Sequence, residues 1–69
     1  MRMSARNQLA GSVVEVSPGA VTTTVKIRLA GGDVMTSSIT KEAADELGLA
    51  AGNEVVVIVK ASDVMLAVE

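Results

Sequence analysis

Five short stretches of this chain read as β-strands, and one carries the end signals of a helix. The clearest is Val21 to Ala30, where Val21, Thr23, Val25, Ile27 and Leu29 alternate with Thr22, Thr24, Lys26, Arg28 and Ala30. A period of two sustained this long predicts a half-buried strand with the first set facing inward. Upstream, Leu9 to Val16 is an apolar stretch interrupted at Gly11 and Ser12, which predicts a strand with a bulge at the interruption. Ser17-Pro18-Gly19 joins the two as a turn, with Pro fixing one torsion and Gly supplying positive φ. Gly31-Gly32-Asp33 closes a hairpin onto Val34 to Ile39, a return strand rich in hydroxyls at Thr36, Ser37 and Ser38.

The pattern then changes. Thr40 reads as a helix N-cap, Glu42 sits where it favours the positive end of the helix dipole, and Gly48 stands where a left-handed C-cap belongs. A short helix is expected over Lys41 to Leu47. Ala50-Ala51-Gly52-Asn53 is a turn, and Glu54 to Lys60 is a strand with five consecutive β-branched residues, Val55 to Val59. A strand apolar on both faces needs cover on both, here the core on one side and a neighbouring subunit on the other. Ala61-Ser62-Asp63 turns the chain into a fifth strand, Val64 to Val68. Five short antiparallel strands with one short helix between the third and fourth predict an all-β fold, a small Greek-key barrel of the OB type. A β-sandwich would need roughly 100 residues.

Length sharpens this. Sixty-nine residues make one domain, residues 1–69, with no room for a second. Such a chain buries only about 60% of its unfolded surface, so a lone copy is marginal and looks to disulfides, a metal or assembly for support. There is no Cys and no His, which removes disulfides and the usual ligands of zinc or iron–sulfur sites. Assembly is left, and a hydrophobic content of 49% agrees with it.

The chain has no aromatic residue and a net charge of −2. That removes both the stacking platforms and the basic stripe of a nucleic-acid binder. The longest apolar run is too short to span a bilayer, and no signal-peptide stretch opens the chain, so a cytoplasmic protein is the default.

Catalysis finds little support. No His or Cys is present, and no Ser has a base in a recognisable arrangement; nothing in the spacing supports a pairing with Lys60. The carboxylates Glu15, Asp33, Glu42, Asp45, Glu46, Glu54, Asp63 and Glu69 are scattered, without the clustering an acid–base pair or a Mg²⁺ or Ca²⁺ loop requires. What stands out is Ser4-Ala5-Arg6-Asn7-Gln8 near one end and Lys60-Ala61-Ser62-Asp63-Val64 near the other. Each sets one cation beside a hydroxyl and backbone amides that a strand end leaves free. Arg, Lys, hydroxyls and amides together form a donor-rich nest for a small oxyanion. Such a nest prefers an anion with no proton at neutral pH, as with molybdate, tungstate or sulfate. Phosphate would bring a hydrogen needing an acceptor, and an unpaired buried group costs about 1–3 kcal/mol. Each residue also has an ordinary structural reading. Arg6 serves as a solvated charge, Lys60 as edge protection, Thr40 as a cap and nothing more, Gly19 and Ala20 as a turn. Spacing alone leaves both readings open.

The string Ser4-Ala5-Arg6-Asn7-Gln8-Leu9, followed by Gly11, resembles the opening signature of the Mop family, the molbindins, whose module is similar to the molybdate-binding domains of molybdate-responsive regulators and the TOBE domains of transporter ATPases. The resemblance continues through Ala30-Gly31-Gly32-Asp33, Ser38-Ile39-Thr40, Glu46-Leu47-Gly48-Leu49, Gly52-Asn53-Glu54-Val55 and Val59-Lys60-Ala61-Ser62-Asp63-Val64. It covers nearly all of the chain and is most specific in its first and last segments.

The resemblance implies an OB-like barrel that exchanges its N-terminal strand with a partner and assembles as a homohexamer, a trimer of dimers. It implies that molybdate or tungstate is bound at subunit interfaces and stored or buffered in the cytoplasm, with no cofactor and no catalysis. Carried onto this chain, the oxyanion contacts fall on Ser4, Ala5 and Arg6, on Lys60, Ala61 and Ser62, and on Thr40 from a neighbouring subunit. One position departs: some relatives place a hydroxyl three residues after the threonine, where this chain has Ala43. A second type of site, near the threefold axis, would fall on Gly19, Ala20, Val21 and Thr22. The rival readings are a ligand-sensing module that docks onto another protein and a generic OB-fold nucleic-acid binder; the missing aromatics and the acidic balance weigh against the second.

Overall fold

A computed structural model describes residues 1–69. Its elements are β1 (Asn7–Pro18), β2 (Thr22–Leu29), β3 (Val34–Thr40), α1 (Lys41–Leu47) and β4 (Glu54–Val59), followed by a single 3₁₀ turn at Ala61–Asp63. The strands form one antiparallel sheet in the order β3-β2-β1-β4. Three consecutive strands with a fourth returning beside the first make a Greek key. The all-β class with one short helix and the Greek-key order therefore match the sequence reading.

The strand count does not. Val64 to Val68 form no ladder, so the sheet has four strands rather than five, and β3 and β4 remain its two edges. A strand exists only through the partner that takes its N–H and C=O groups, and alternation alone does not supply one. The N-terminal segment that the resemblance implies to be exchanged is here paired within its own chain, Asn7 to Ser12 against Val59 to Glu54.

β1 belongs to two ladders. Its first half pairs β4 and its second half pairs β2, with Gly11 and Ser12 in both. The bulge lies between Val13 and Glu15, later than the glycine suggests. Gly11 serves a different purpose. A Cβ there would stand 2.6 Å from Ile27 Cγ2 and 2.8 Å from the Arg28 carbonyl oxygen, so only glycine fits where β1 is flanked on both sides. Gly19 also differs from expectation, since it lies outside the positive-φ region. A Cβ there would sit 2.7 Å from the Thr22 carbonyl oxygen, so the turn needs the space rather than the torsion.

The core is built where both ladders overlap. Val13, Val25 and Ile27 are buried, wrapped by Val16, Leu29, Ile39, Leu49, Val55 and Val57. The inward set of β2 is the predicted one from Thr23 to Leu29, while Val21 precedes the strand and is exposed. Thr23 is 1% exposed and its hydroxyl has no hydrogen-bond partner. The helix ends as its sequence directs. Thr40 Oγ1 accepts from the Ala43 N–H at 3.0 Å, and Gly48, at φ 62°, donates its N–H to the Ala44 and Asp45 carbonyls. Along β4, Val55, Val57 and Val59 face inward and are half-buried, while Val56 and Ile58 point outward, 43% and 46% exposed.

Candidate functional site

The ladder between β1 and β4 ends with Asn7 opposite Val59. One residue further out on each chain stand Arg6 and Lys60, so residues more than fifty positions apart are brought side by side. Ser4 and Ser62 lie two residues beyond these, on the same outward run. Asn7 Nδ2 donates to the Val59 carbonyl at 3.1 Å, which pins the ends of the two strands together. Gln8 Nε2 donates to the Ala5 carbonyl at 3.2 Å and folds the approach to β1. Neither Asn7 nor Gln8 is a sequence-predicted ligand; their position inside the opening string is the only signal of this bracing role.

The Ala61–Asp63 turn orients the other segment. Asp63 N–H donates to the Lys60 carbonyl at 2.9 Å and Val64 N–H to the Ala61 carbonyl at 3.2 Å. The amides of Ala61 and Ser62, at the open start of the turn, are left without a backbone partner. Ser4, Arg6, Lys60, Ala61 and Ser62 are all exposed, and Ala5 is half-buried. This end of the sheet thus gathers two cations, two hydroxyls and two unused amides, a donor-rich set. The carboxylates form no cluster of three or more.

Thr40 lies elsewhere. It pairs with Thr22, and the next pair of that strand, Thr23 with Pro18, marks the far end of β1. The 12 residues of β1 separate it from Arg6, a path of about 40 Å along the strand at about 3.3 Å per residue. Within one chain the structure brings Ser4–Arg6 to Lys60–Ser62, and Thr40 to Gly19–Thr22, but keeps the two groups at opposite ends. The second group is tightly tied. Gly19 N–H donates to the Thr22 carbonyl at 2.8 Å, and Lys41 N–H donates to the Val21 carbonyl at 2.9 Å. The amide of Gly19 is therefore already used, while those of Ala20 and Val21 are not. The Thr40 hydroxyl accepts the cap bond with a lone pair, which leaves its own proton free to donate outward. At Ala43 the N–H is consumed by that cap and the side chain has nothing to offer.

Residues 3–66 match the family model described as the TOBE domain. The chain is 46% identical to molybdenum-pterin-binding protein 3 of Clostridium pasteurianum over 66 residues, 96% of this chain and 97% of that protein. Among solved structures, apo MopII from Clostridium pasteurianum matches with a TM-score of 0.92 at 43% identity, covering 97% of this chain and 100% of that one. The cytoplasmic molybdate-binding protein ModG, with molybdate bound, matches with a TM-score of 0.95 at 46% identity, covering 100% of this chain and 49% of that one. The chain belongs to the TOBE-domain family, in its Mop-type branch. No helix is long and apolar enough to cross a membrane.

Proposed function

We propose that this protein binds molybdate or tungstate at the boundary between subunits of a homo-oligomer, and holds the anion in store in the cytoplasm rather than transforming it. The observation that carries the reading is the donor set that the β1–β4 register assembles at one end of the sheet: Arg6 beside Lys60, with Ser4, Ser62 and the Ala61 and Ser62 amides around them. The relatives, named for binding molybdate or molybdenum-pterin, supply the identity of the anion.

Arg6 and Lys60 balance the dianion's charge. The hydroxyls and amides fix its orientation and, in a set rich in donors and poor in acceptors, disfavour a protonated phosphate. Thr40 stands at the wrong end of its own chain to join them, so it donates into the site of a neighbouring copy. A hexamer built as a trimer of dimers provides such neighbours, and places Gly19 to Thr22, with their free Ala20 and Val21 amides, around a second site. An anion held between copies then stabilises the assembly by mass action.

Isothermal titration with molybdate, with sulfate and phosphate as competitors, tests the reading on protein of known mass. Binding at micromolar strength or tighter, indifferent to phosphate, is the expected result. Losing a hydrogen bond to a charged group costs about 1.5–3 kcal/mol, so Lys60→Met is expected to weaken binding at least tenfold while far-UV circular dichroism stays unchanged. A Lys60→Met protein that binds as tightly as the parent places the site elsewhere.

A further inference from the structure

Two side-chain amides stand beside the proposed anion site, and each grips the peptide unit that leads into one of its cations. Asn7 Nδ2 donates to the Val59 carbonyl at 3.1 Å, and that carbonyl belongs to the peptide bond joining Val59 to Lys60. Gln8 Nε2 donates to the Ala5 carbonyl at 3.2 Å, the carbonyl of the peptide bond joining Ala5 to Arg6. A peptide unit is planar, so holding its carbonyl also holds the direction in which the next Cα lies. Asn7 is half-buried and Gln8 is exposed.

The two cations need such a clamp. The β1–β4 ladder ends at Asn7 opposite Val59, and continuing its register sets Arg6 opposite Lys60. Like charges directly opposite each other on paired strands are destabilising. Without a restraint, the ends of β1 and β4 would part beyond Asn7 and Val59, and the span between the cations would vary. The ladder cannot prevent this, because it stops there. The side-chain amides can. The Asn7 bond ties β1 to β4 across 52 positions of sequence, and the Gln8 bond holds the Arg6 segment to the start of β1 within three positions. Both bonds need a donor. A carbonyl only accepts, so an ionised carboxylate at either position could make neither bond.

We propose that Asn7 and Gln8 are positioning residues that hold Arg6 and Lys60 at a fixed span, and that this span sets the size of the tetrahedral oxyanion the site accepts. A charge-assisted hydrogen bond is strong over a narrow range, about 2.7–2.9 Å between heavy atoms. A rigid pair of cations set for a large anion such as molybdate meets a smaller one, such as sulfate, at full strength from one side only. A loose pair closes on either. The selectivity rests on the oxyanion reading above; the clamp itself does not.

The test compares the parent with full-length protein carrying Asn7→Ala and Gln8→Ala together, titrated with molybdate and, by competition, with sulfate. Molybdate affinity is expected to fall at least fivefold while sulfate affinity changes less than twofold, so that the preference between them shrinks. A merely structural loss would weaken both anions alike; an equal fall for both, or no fall in either, overturns the role in selectivity. A second measurement needs no anion. In anion-free protein, the NMR order parameters of the Arg6 and Lys60 backbone amides are expected to fall from about 0.85 in the parent to about 0.6 or below in the double variant. Values unchanged at both residues overturn the clamp. The two readings fail separately. A parent that binds no molybdate discards the anion site and the selectivity with it, while the order parameters still decide the clamp. A parent that binds molybdate, with a double variant that keeps the parent's preference, retains the site and discards the selectivity assigned to Asn7 and Gln8.

Discussion

β1 is flanked by two very different strands. β2 alternates apolar residues with Thr, Lys and Arg, yet it supplies Thr23, Val25 and Ile27, all buried. β4 is apolar at five consecutive positions, yet none of its residues is fully buried. The more hydrophobic strand is the less buried one. The difference lies in neighbours: β2 has a ladder on each side and the sheet curls over it, whereas β4 has a ladder on one side and an open cleft on the other. Burial is set by what lies across from a side chain. Apolar content beyond what one chain can cover marks the place where something else belongs.

This contrast can be broken or sharpened by substitution. The largest effect is expected on the β2 side, where Ile27→Ala removes a buried side chain and should cost about 3 kcal/mol, read from urea denaturation. Gly11→Ala comes next, at about 2 kcal/mol, because the new methyl meets the Arg28 carbonyl as well as the Ile27 side chain and the backbone cannot step aside. A Gly11→Ala melting curve that overlays the parent's would mean the strands are less closely spaced than described.

Thr23→Val reverses the sign. It replaces a buried hydroxyl that has no partner with a methyl of the same shape, and should stabilise by about 1 kcal/mol. A loss of stability instead would show that the hydroxyl is bonded in solution. Val57→Ala on the β4 side is smallest, about 0.8 kcal/mol at half-burial when measured in dilute protein. Its cost should grow with protein concentration as assembly covers the cleft, while that of Ile27→Ala should not. Equal and concentration-independent costs at the two positions would erase the distinction between the flanks.

Most of the fold was legible because its signals are local. Period two in β2, the Thr40 cap, the Gly48 terminator and the Gly31-Gly32-Asp33 hairpin all act within a few residues, and each stands where its pattern puts it. Gly11 was misread because a glycine within a strand has two uses, a bulge and a close approach, and a strand sequence does not show what lies on either side of it. The segment Val64 to Val68 alternates in sequence but forms no strand, since a strand also needs an edge to join. For the site, the two donor segments could be named from their residues. That Arg6 and Lys60 become neighbours could not be read from spacing, because it depends on the Asn7–Val59 register. Nor could the distance of Thr40 from both, which depends on which end of β1 each strand meets.

The double membership of β1 also sets an order of events as the chain is made. The β1–β2 and β2–β3 hairpins join near neighbours and can close early, since short loops cost little entropy. The β1–β4 ladder joins residues up to 52 positions apart, and β4 follows all the other strands in the chain. Synthesis adds residues from the N-terminus. Until Glu54 to Val59 emerge, the edge from Asn7 to Ser12 is bare, and the newborn chain is a three-stranded sheet with half of its longest strand unmatched. Pairing at Asn7 and Val59 therefore waits for β4, and Arg6 meets Lys60 only after Glu54 to Val59 have been made.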